Sequence, residues 1–588
     1  MRRFWLFFIV SLATFSLGNA QVSLSFSKPG GCYADIFTLS INVESNENIP
    51  CQIYYTLNGG TPSVESVLYE HPIVLDKSQY SSSDIFKIPN AIGKYLSPIP
   101  SEIDRIIVVR AAAFNQDGQR CSEVISASYI ISSLLGRTIS LPVLSLCVDS
   151  VDFFDNKRGI FIPGASFDPL RPNESGNYYF SGREHEVAGH VELYWGDCLI
   201  AQDCGVRTHG NIGRRYAQKG LSLYARKEYG KKKFDPVFET TMFKSKHLIL
   251  KPFRCAWTPL GFQDHLCQQM AKLFPSFESL FSRPVVLFIN GEYWGVFFLE
   301  EKPDERYIQC HFGIEDKDVH IVRDWAGHDK NGDVDSSFTA LMQWLQKANL
   351  TDEQQYKRIQ QMIDIQSFTD YVLFETFIGN RDWPANNMRC WSANGSPWRF
   401  IFFDGDAIRT QSFEEVDNAM FAGNRQCWPS SPESTLLLRR LLQNSQYRAY
   451  FVGRLRQVSR MFSFRWGMPL RQYFNHTVSI LKKEVPYQSK RFGFPKSTTE
   501  WRHAIRHQRW YWRRHCRKVK REWKRTIRKC NMDANSSLKN LTKSVEERKW
   551  ARMEWICLDW NEPALKYYQN IEVFPIDVWS VMRQDESA

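Results

Sequence analysis

The residues best suited to chemistry are acids and amides placed where rigid elements end. The apolar stretch FTDYVLFETFIGN runs into Arg381-Asp382-Trp383-Pro384-Ala385-Asn386-Asn387. Pro384 cannot continue a helix, so Asp382 and the two asparagines are expected on an ordered turn. Further on, WRFIFFDGD at 398–406 carries Asp404 and Asp406 at the end of an apolar strand run. Carboxylate and amide oxygens are what hard divalent cations take as ligands. A loop aspartate that orients a hydroxyl, an asparagine a few residues later and an acid at the following strand end are the parts phosphoryl transfer uses. Asp and Asn after a helix are also ordinary turn formers, and taken alone the motif favours that reading.

Other chemistries lack their signatures. There is no G-x-x-x-x-G-K-[ST], no G-x-G-x-x-G after a strand and no G-x-S-x-G elbow. His185 and His190 are five apart, so they would not share a helix face; with HVELYW following, they are expected before and within a strand rather than on zinc.

The elements that must position these groups follow from periodicity. Residues 21–135 read as all-β: SLSFS, FTLSINV, QIYYTL, IIVVRAAAF and ISASYIIS are short alternating or β-branched runs separated by KPGG, NGGTP and NQDG. Residues 138–330 are mixed with strands leading. RPVVLFINGEYWGVFFLEE is two apolar strands around Asn290-Gly291, a strong hairpin signal. Apolar residues recur at three and four through 336–380, and 433–530 is helical again.

A length of 588 residues allows three to four domains, and a hydrophobic share of 43% excludes whole-chain disorder. The net charge is +12. Segment 501–529 alone holds thirteen Lys/Arg and one acid, Glu522, so the excess is local and a polycationic, nucleic-acid-coating protein is excluded. Its apolar residues Trp501, Ile505, Trp512, Cys516, Val519, Trp523 and Ile527 keep helical steps. This is a helix packed on the body with a basic outer side, or a docking surface for an acidic substrate or an anionic cell surface. Residues 1–20 have the basic start, short apolar run and small-residue end of a secretory signal peptide. The mature chain is therefore expected to be secreted or at the cell surface, where its 14 cysteines are compatible with disulfides whose pairing stays open.

Two resemblances sit on these blocks, and a third on the tail. Ile53-Tyr54-Tyr55-Thr56, Gly60-Thr61-Pro62 and Val109-Arg110-Ala111-Ala112-Ala113 resemble the small β-sandwich at the C-terminus of chitobiases and hexosaminidases, here expected as a spacer. From about 138 to 520, five blocks stand in the order of the CotH family of secreted and spore-coat protein kinases: LPVLSLCVDSVDFFDNKRGIFIPG, VRTHGNIGRRYAQKGLSLYARKEYG, RPVVLFINGEYWGVFFLEEKPDERYIQCHFG, NRDWPANNMRCW and WRFIFFDGD. The resemblance implies an atypical two-lobed α+β kinase fold, with a strand-rich lobe at 138–330 and a helical lobe at 331–530. It implies ATP with Mg²⁺ or Mn²⁺, transfer to Ser or Thr of a protein substrate, and roles for six residues. Lys219 would contact ATP phosphates, Glu301 would pair with Lys219 or help hold metal, Asp382 would orient the hydroxyl or act as base, and Asn387, Asp404 and Asp406 would hold metal. Glu300 stands where the family usually has Arg, Gly213 where it often has Ser, and Ala407-Ile408-Arg409 where Phe-Gly commonly follows. The alternative reading is a catalytically inactive surface adhesion or binding protein on the same fold. Residues 536–583 resemble the last part of GNAT acetyltransferases. CNMDAN stands where a pyrophosphate-cradling glycine turn belongs, so 531–588 is expected to be a remnant without activity.

Overall fold

The computed structural model describes residues 22–44, 50–80, 84–238, 243–254, 258–408, 416, 419 and 430–529. Segments 1–20 and 531–588, read from the sequence as a signal peptide and a GNAT-like tail, lie outside the described residues.

The N-terminal β-rich domain has a five-stranded sheet in the order Gly31–Tyr33, Ile125–Ile131, Ile107–Phe114, Gln52–Thr56, Val67–Leu68, faced by two short strand pairs. Its core is Leu39, Ile53, Val109, Ala111, Tyr129 and their neighbours. Ile107–Phe114 is buried along its whole length. Its alternate residues face two cores, because Ile106, Val108 and Ile130 pack with Val286, Phe288 and Tyr293 of the next domain. The domain is thus fused to the body rather than held as a spacer.

The body's first lobe is a closed barrel of seven strands: Val143–Val148, Val187–Trp195, Asp197–His209, Gly220–Tyr224, His247–Pro252, Glu292–Glu301 and Ser282–Ile289, in that order around the barrel. The hairpin reads as its sequence demands. Asn290 and Gly291 take φ of 48° and 80°, the left-handed pair of a tight two-residue turn. Side chains alternate across every strand. Leu144, Val191, Leu221, Leu223, Leu248, Leu250, Leu287 and Leu299 fill the barrel, while the other face turns toward the helical lobe.

That second lobe starts earlier than residue 331. Val319–Val322 pairs with Cys390–Ala393, which pairs with Arg399–Phe400, so the crossing falls just after Glu301. The lobe's central helix, Ile365–Ile378, is capped by Asp364, ends on Gly379 at φ 69°, and is buried from Ser367 onward. The basic helix Thr498–Lys529 lays Trp512, Val519 and Trp523 into the core, and the Trp523 indole N–H donates to Thr376 Oγ1 at 3.2 Å. The seven apolar residues singled out at helical spacing are all buried. His190 lies within Val187–Trp195 and meets Asp203 at 2.7 Å, and His185 lies in the turn before it.

Candidate functional site

The cleft between the lobes is built from strand parity and one turn. On His247–Pro252, Leu248 and Leu250 point into the barrel, so His247, Ile249 and Lys251 point into the cleft. Ile249 lies opposite Glu300 and Leu248 opposite Glu301. Facing residues share a side, so Glu300 joins Lys251 in the cleft and Glu301 does not. The Lys251 ammonium pairs with Asp264 and lies 3.5 Å from both Glu300 Oε2 and Asp404 Oδ1. Asp264 comes from the helix Gln263–Ala271 and also accepts from the Gly405 N–H at 2.7 Å. Burial opposes a charge on Lys251, but Asp264, Glu300 and Asp404 overcome it and push its pKa well above the ordinary lysine value. Glu300 accepts from Ser282 Oγ at 2.8 Å, and burial pushes its pKa up despite Lys251.

The opposing wall is the turn after Ile365–Ile378. Arg381 N–H donates to the Ala407 carbonyl at 3.1 Å, and Asn380 bridges Ile408. These bonds bring Asp382 beside the segment 404–406. Asn387 Nδ2 donates to the Asp404 carbonyl at 3.2 Å. Asn387 and Asp404 hold φ of 51° and 62°, a conformation that Asn and Asp tolerate best among residues with a side chain. Burial and then the Asp404 charge raise the pKa of Asp382 and, further, that of Asp406. Asp382, Asn387, Asp404 and Asp406 are thus brought together. Among the described residues no three His, Cys, Asp or Glu side chains close into a ready-made metal cage.

Lys219 and Glu301 are not in this group. Lys219 has the parity of Leu221 and Leu223, so its side chain enters the barrel side. There it is fully buried, donates to the Asn90 and Tyr216 carbonyls and sits against the Phe161 and Tyr178 rings. Burial drives its pKa well below the lysine value. Glu301 accepts from the Phe281 N–H at 3.0 Å and meets His311 at 2.7 Å, with no contact to Lys219. A one-residue step flips a strand side chain to the other face, and both expectations were one such step or one strand away from the residues that occupy the cleft. The residues missed are Lys251 and Asp264; Glu300, noted only as standing in place of a usual Arg, is a partner of Lys251 here. The signal for Lys251 was HLILKP, in which a lysine alternates with leucines.

The turn between Asp197–His209 and Gly220–Tyr224 packs against Tyr95, Tyr179 and Phe180. Gly210 holds φ 97°, and a Cβ on Gly210 or Gly213 would meet no atom within 4 Å. The loop therefore leaves room for a ligand to approach backbone N–H groups.

The family model for the CotH kinase protein matches residues 206–517, more than half of the chain. The chain belongs to the CotH kinase protein family. A second model, Fn3 associated, matches residues 39–129, within the N-terminal β-rich domain. No curated protein matches. Among solved structures, the HipA–HipB toxin–antitoxin system with its operator DNA from Shewanella oneidensis MR-1 is similar at 11% identity. That match covers 46% of this chain and 58% of that one, with a TM-score of 0.21. A likeness that slight carries no argument. In this CotH chain the matched region begins at Val206 and ends within the basic helix, so it holds Lys251, the acids and the loop of Asp382.

Proposed function

We propose that this CotH chain is a protein kinase that moves the γ-phosphoryl group of ATP to Ser or Thr hydroxyls of extracytoplasmic or surface proteins. The observation that carries the reading is the cleft itself. A lysine held by Asp264, Glu300 and Asp404 faces a turn that presents Asp382 and Asn387.

The residues fit a nucleotide with a divalent cation. Asp404, Asp406 and Asn387 offer hard oxygen donors, and the Asp404 side chain is 41% exposed. Burial, and after it the Asp404 charge, raises the pKa of Asp406 and Asp382, and a cation would offset the repulsion part of that cost. A site of this class needs only one or two carboxylates, since the substrate's phosphates complete the shell. When bound, the cation and nucleotide supply the transferable group and neutralise its charge. Lys251 would bind phosphate oxygens, and Asp382, made more basic by burial and then by Asp404, would orient the acceptor hydroxyl and take its proton. The signal-peptide pattern at 1–20 supports an extracytoplasmic place of action, and among the described residues no helix is long and apolar enough to cross a membrane.

The test is transfer of radiolabel from [γ-³²P]ATP by purified residues 21–588 with Mg²⁺ or Mn²⁺. Label on Ser or Thr of the chain or of an added protein is expected. Nucleotide binding without any transfer would favour the inactive binding protein.

A further inference from the structure

The cleft holds cations that the proposed transfer machinery does not use. Lys302 follows Glu300 by two residues where the barrel chain crosses to the second lobe. Arg323 and Arg389 extend the pairing of Val322 with Cys390, so they are the next cross-strand neighbours. Arg389 is 9% exposed. Its Nη1 donates to the Pro303 carbonyl at 2.7 Å, and its guanidinium lies 4.1 Å from the ring centroid of Phe403, the residue before Asp404. These contacts place Arg389 between Lys302 and the Asp404 edge.

The carboxylate nearest to them is already engaged. Asp304 caps the helix Glu305–Phe312 through the Arg306 and Tyr307 N–H groups and lies 3.4 Å from His247. Glu305 pairs with Lys330 at 3.1 Å. The Nε atoms of Arg323 and Arg389 are buried with no hydrogen-bond partner. Lys302, Arg323 and Arg389 thus share only Asp304 and Glu305, both already engaged, beside the Asp404 edge. Buried charge without a partner is costly, and an anion entering the cleft would offset that cost. The planar fork of arginine matches a carboxylate in particular.

We propose that Lys302, Arg323 and Arg389 form a subsite for an acidic side chain of the acceptor polypeptide, an Asp or Glu flanking the hydroxyl to be phosphorylated. This rests on the kinase reading and adds the class of substrate.

The experiment uses the full mature chain, residues 21–588, with Arg323→Gln and Lys302→Gln, both less buried than Arg389. Fluorescence anisotropy follows a labelled twelve-residue peptide in which Ser is flanked by Asp and Glu, and its Asn/Gln counterpart. Calorimetry follows MgATP, and thermal melting checks the fold. The unsubstituted chain should prefer the acidic peptide, and each variant should weaken it about tenfold or more while MgATP affinity holds. Loss of MgATP affinity, alone or with that of the peptide, would assign the cluster to the nucleotide and overturn the proposal. So would equal binding of both peptides, or no effect of either variant. If the unsubstituted chain binds the acidic peptide in this way but not MgATP, the kinase reading falls and the acidic subsite stands.

Discussion

Lys219 is fully buried and Lys251 partly so, yet their partners differ in kind. Lys251 meets three carboxylates, whereas Lys219 meets two carbonyls and two rings. Lys251→Met should therefore cut phosphoryl transfer by about a hundredfold or more through lost phosphate contact. Lys219→Met should leave nucleotide affinity in place and change stability by about 1–3 kcal/mol, with its two carbonyls left unpaired. Parallel calorimetry and melting of the two variants decides it, and a nucleotide defect in Lys219→Met would reverse the assignment. Asp382→Asn keeps the turn that Arg381 and Ala407 hold, while removing the base. It should bind MgATP nearly as before and lose about a hundredfold or more in turnover. Equal loss of binding and turnover would make Asp382 an ordinary turn former before Pro384.

At the scale of elements, the cleft face of the barrel and the helix Gln263–Ala271 packed on it carry histidines held neutral. Burial lowers the pKa of His247 to about 4 and that of His265 to about 3, and pushes His209 down as well. An unfolded chain binds these protons near the ordinary value of 6.5. Below that pH the unfolded state binds more protons than the native one, so stability rises with pH. The contribution is fully present above about 6.5 and is lost as pH falls toward 4. Two such histidines give a slope of up to about 3 kcal/mol per pH unit. Melting temperature should fall steeply between pH 6.5 and 4.5, and His265→Gln should flatten the fall; an unchanged slope in the variant would contradict it. Much of this architecture was legible. The Asn290-Gly291 hairpin, the buried Val143–Val148 strand, the central helix ending at Gly379 and the apolar stripe of the basic helix all follow from period and turn chemistry. The loop Asp382–Asn387 and the acids 404–406 were also found, because Pro384 and the apolar run mark their ends. What could not be read was which face of which strand meets the cleft. That depends on register between His247–Pro252 and Glu292–Glu301, which are more than forty residues apart in sequence. The lobe boundary was misplaced for a similar reason, since Val319–Val322 finds its partner only at Cys390–Ala393.

At the scale of the whole molecule, the β-rich domain is part of the body's support. Glu292, with no exposure, accepts from the Ile85 and Phe86 N–H groups at 3.0 and 2.8 Å and pairs with Arg105. Ile85 and Phe86 also enter the barrel core. A chain beginning at residue 138 should therefore melt well below residues 21–588 or fail to unfold cooperatively, because it leaves a buried carboxylate unpartnered and uncovers two core faces. Identical melting of the two would make that domain a detachable spacer. The whole arrangement serves one claim, that the lobes close a cation-dependent nucleotide site around Asp404. The most direct measurement is calorimetric titration of residues 21–588 with ATP, with and without Mg²⁺, against Asp404→Asn. That substitution removes the charge but tolerates the φ of 62° at this position. The account predicts Mg²⁺-dependent binding by the unsubstituted chain and its loss by about a hundredfold or more in the variant; equal Mg²⁺-dependent affinity in the two would contradict it.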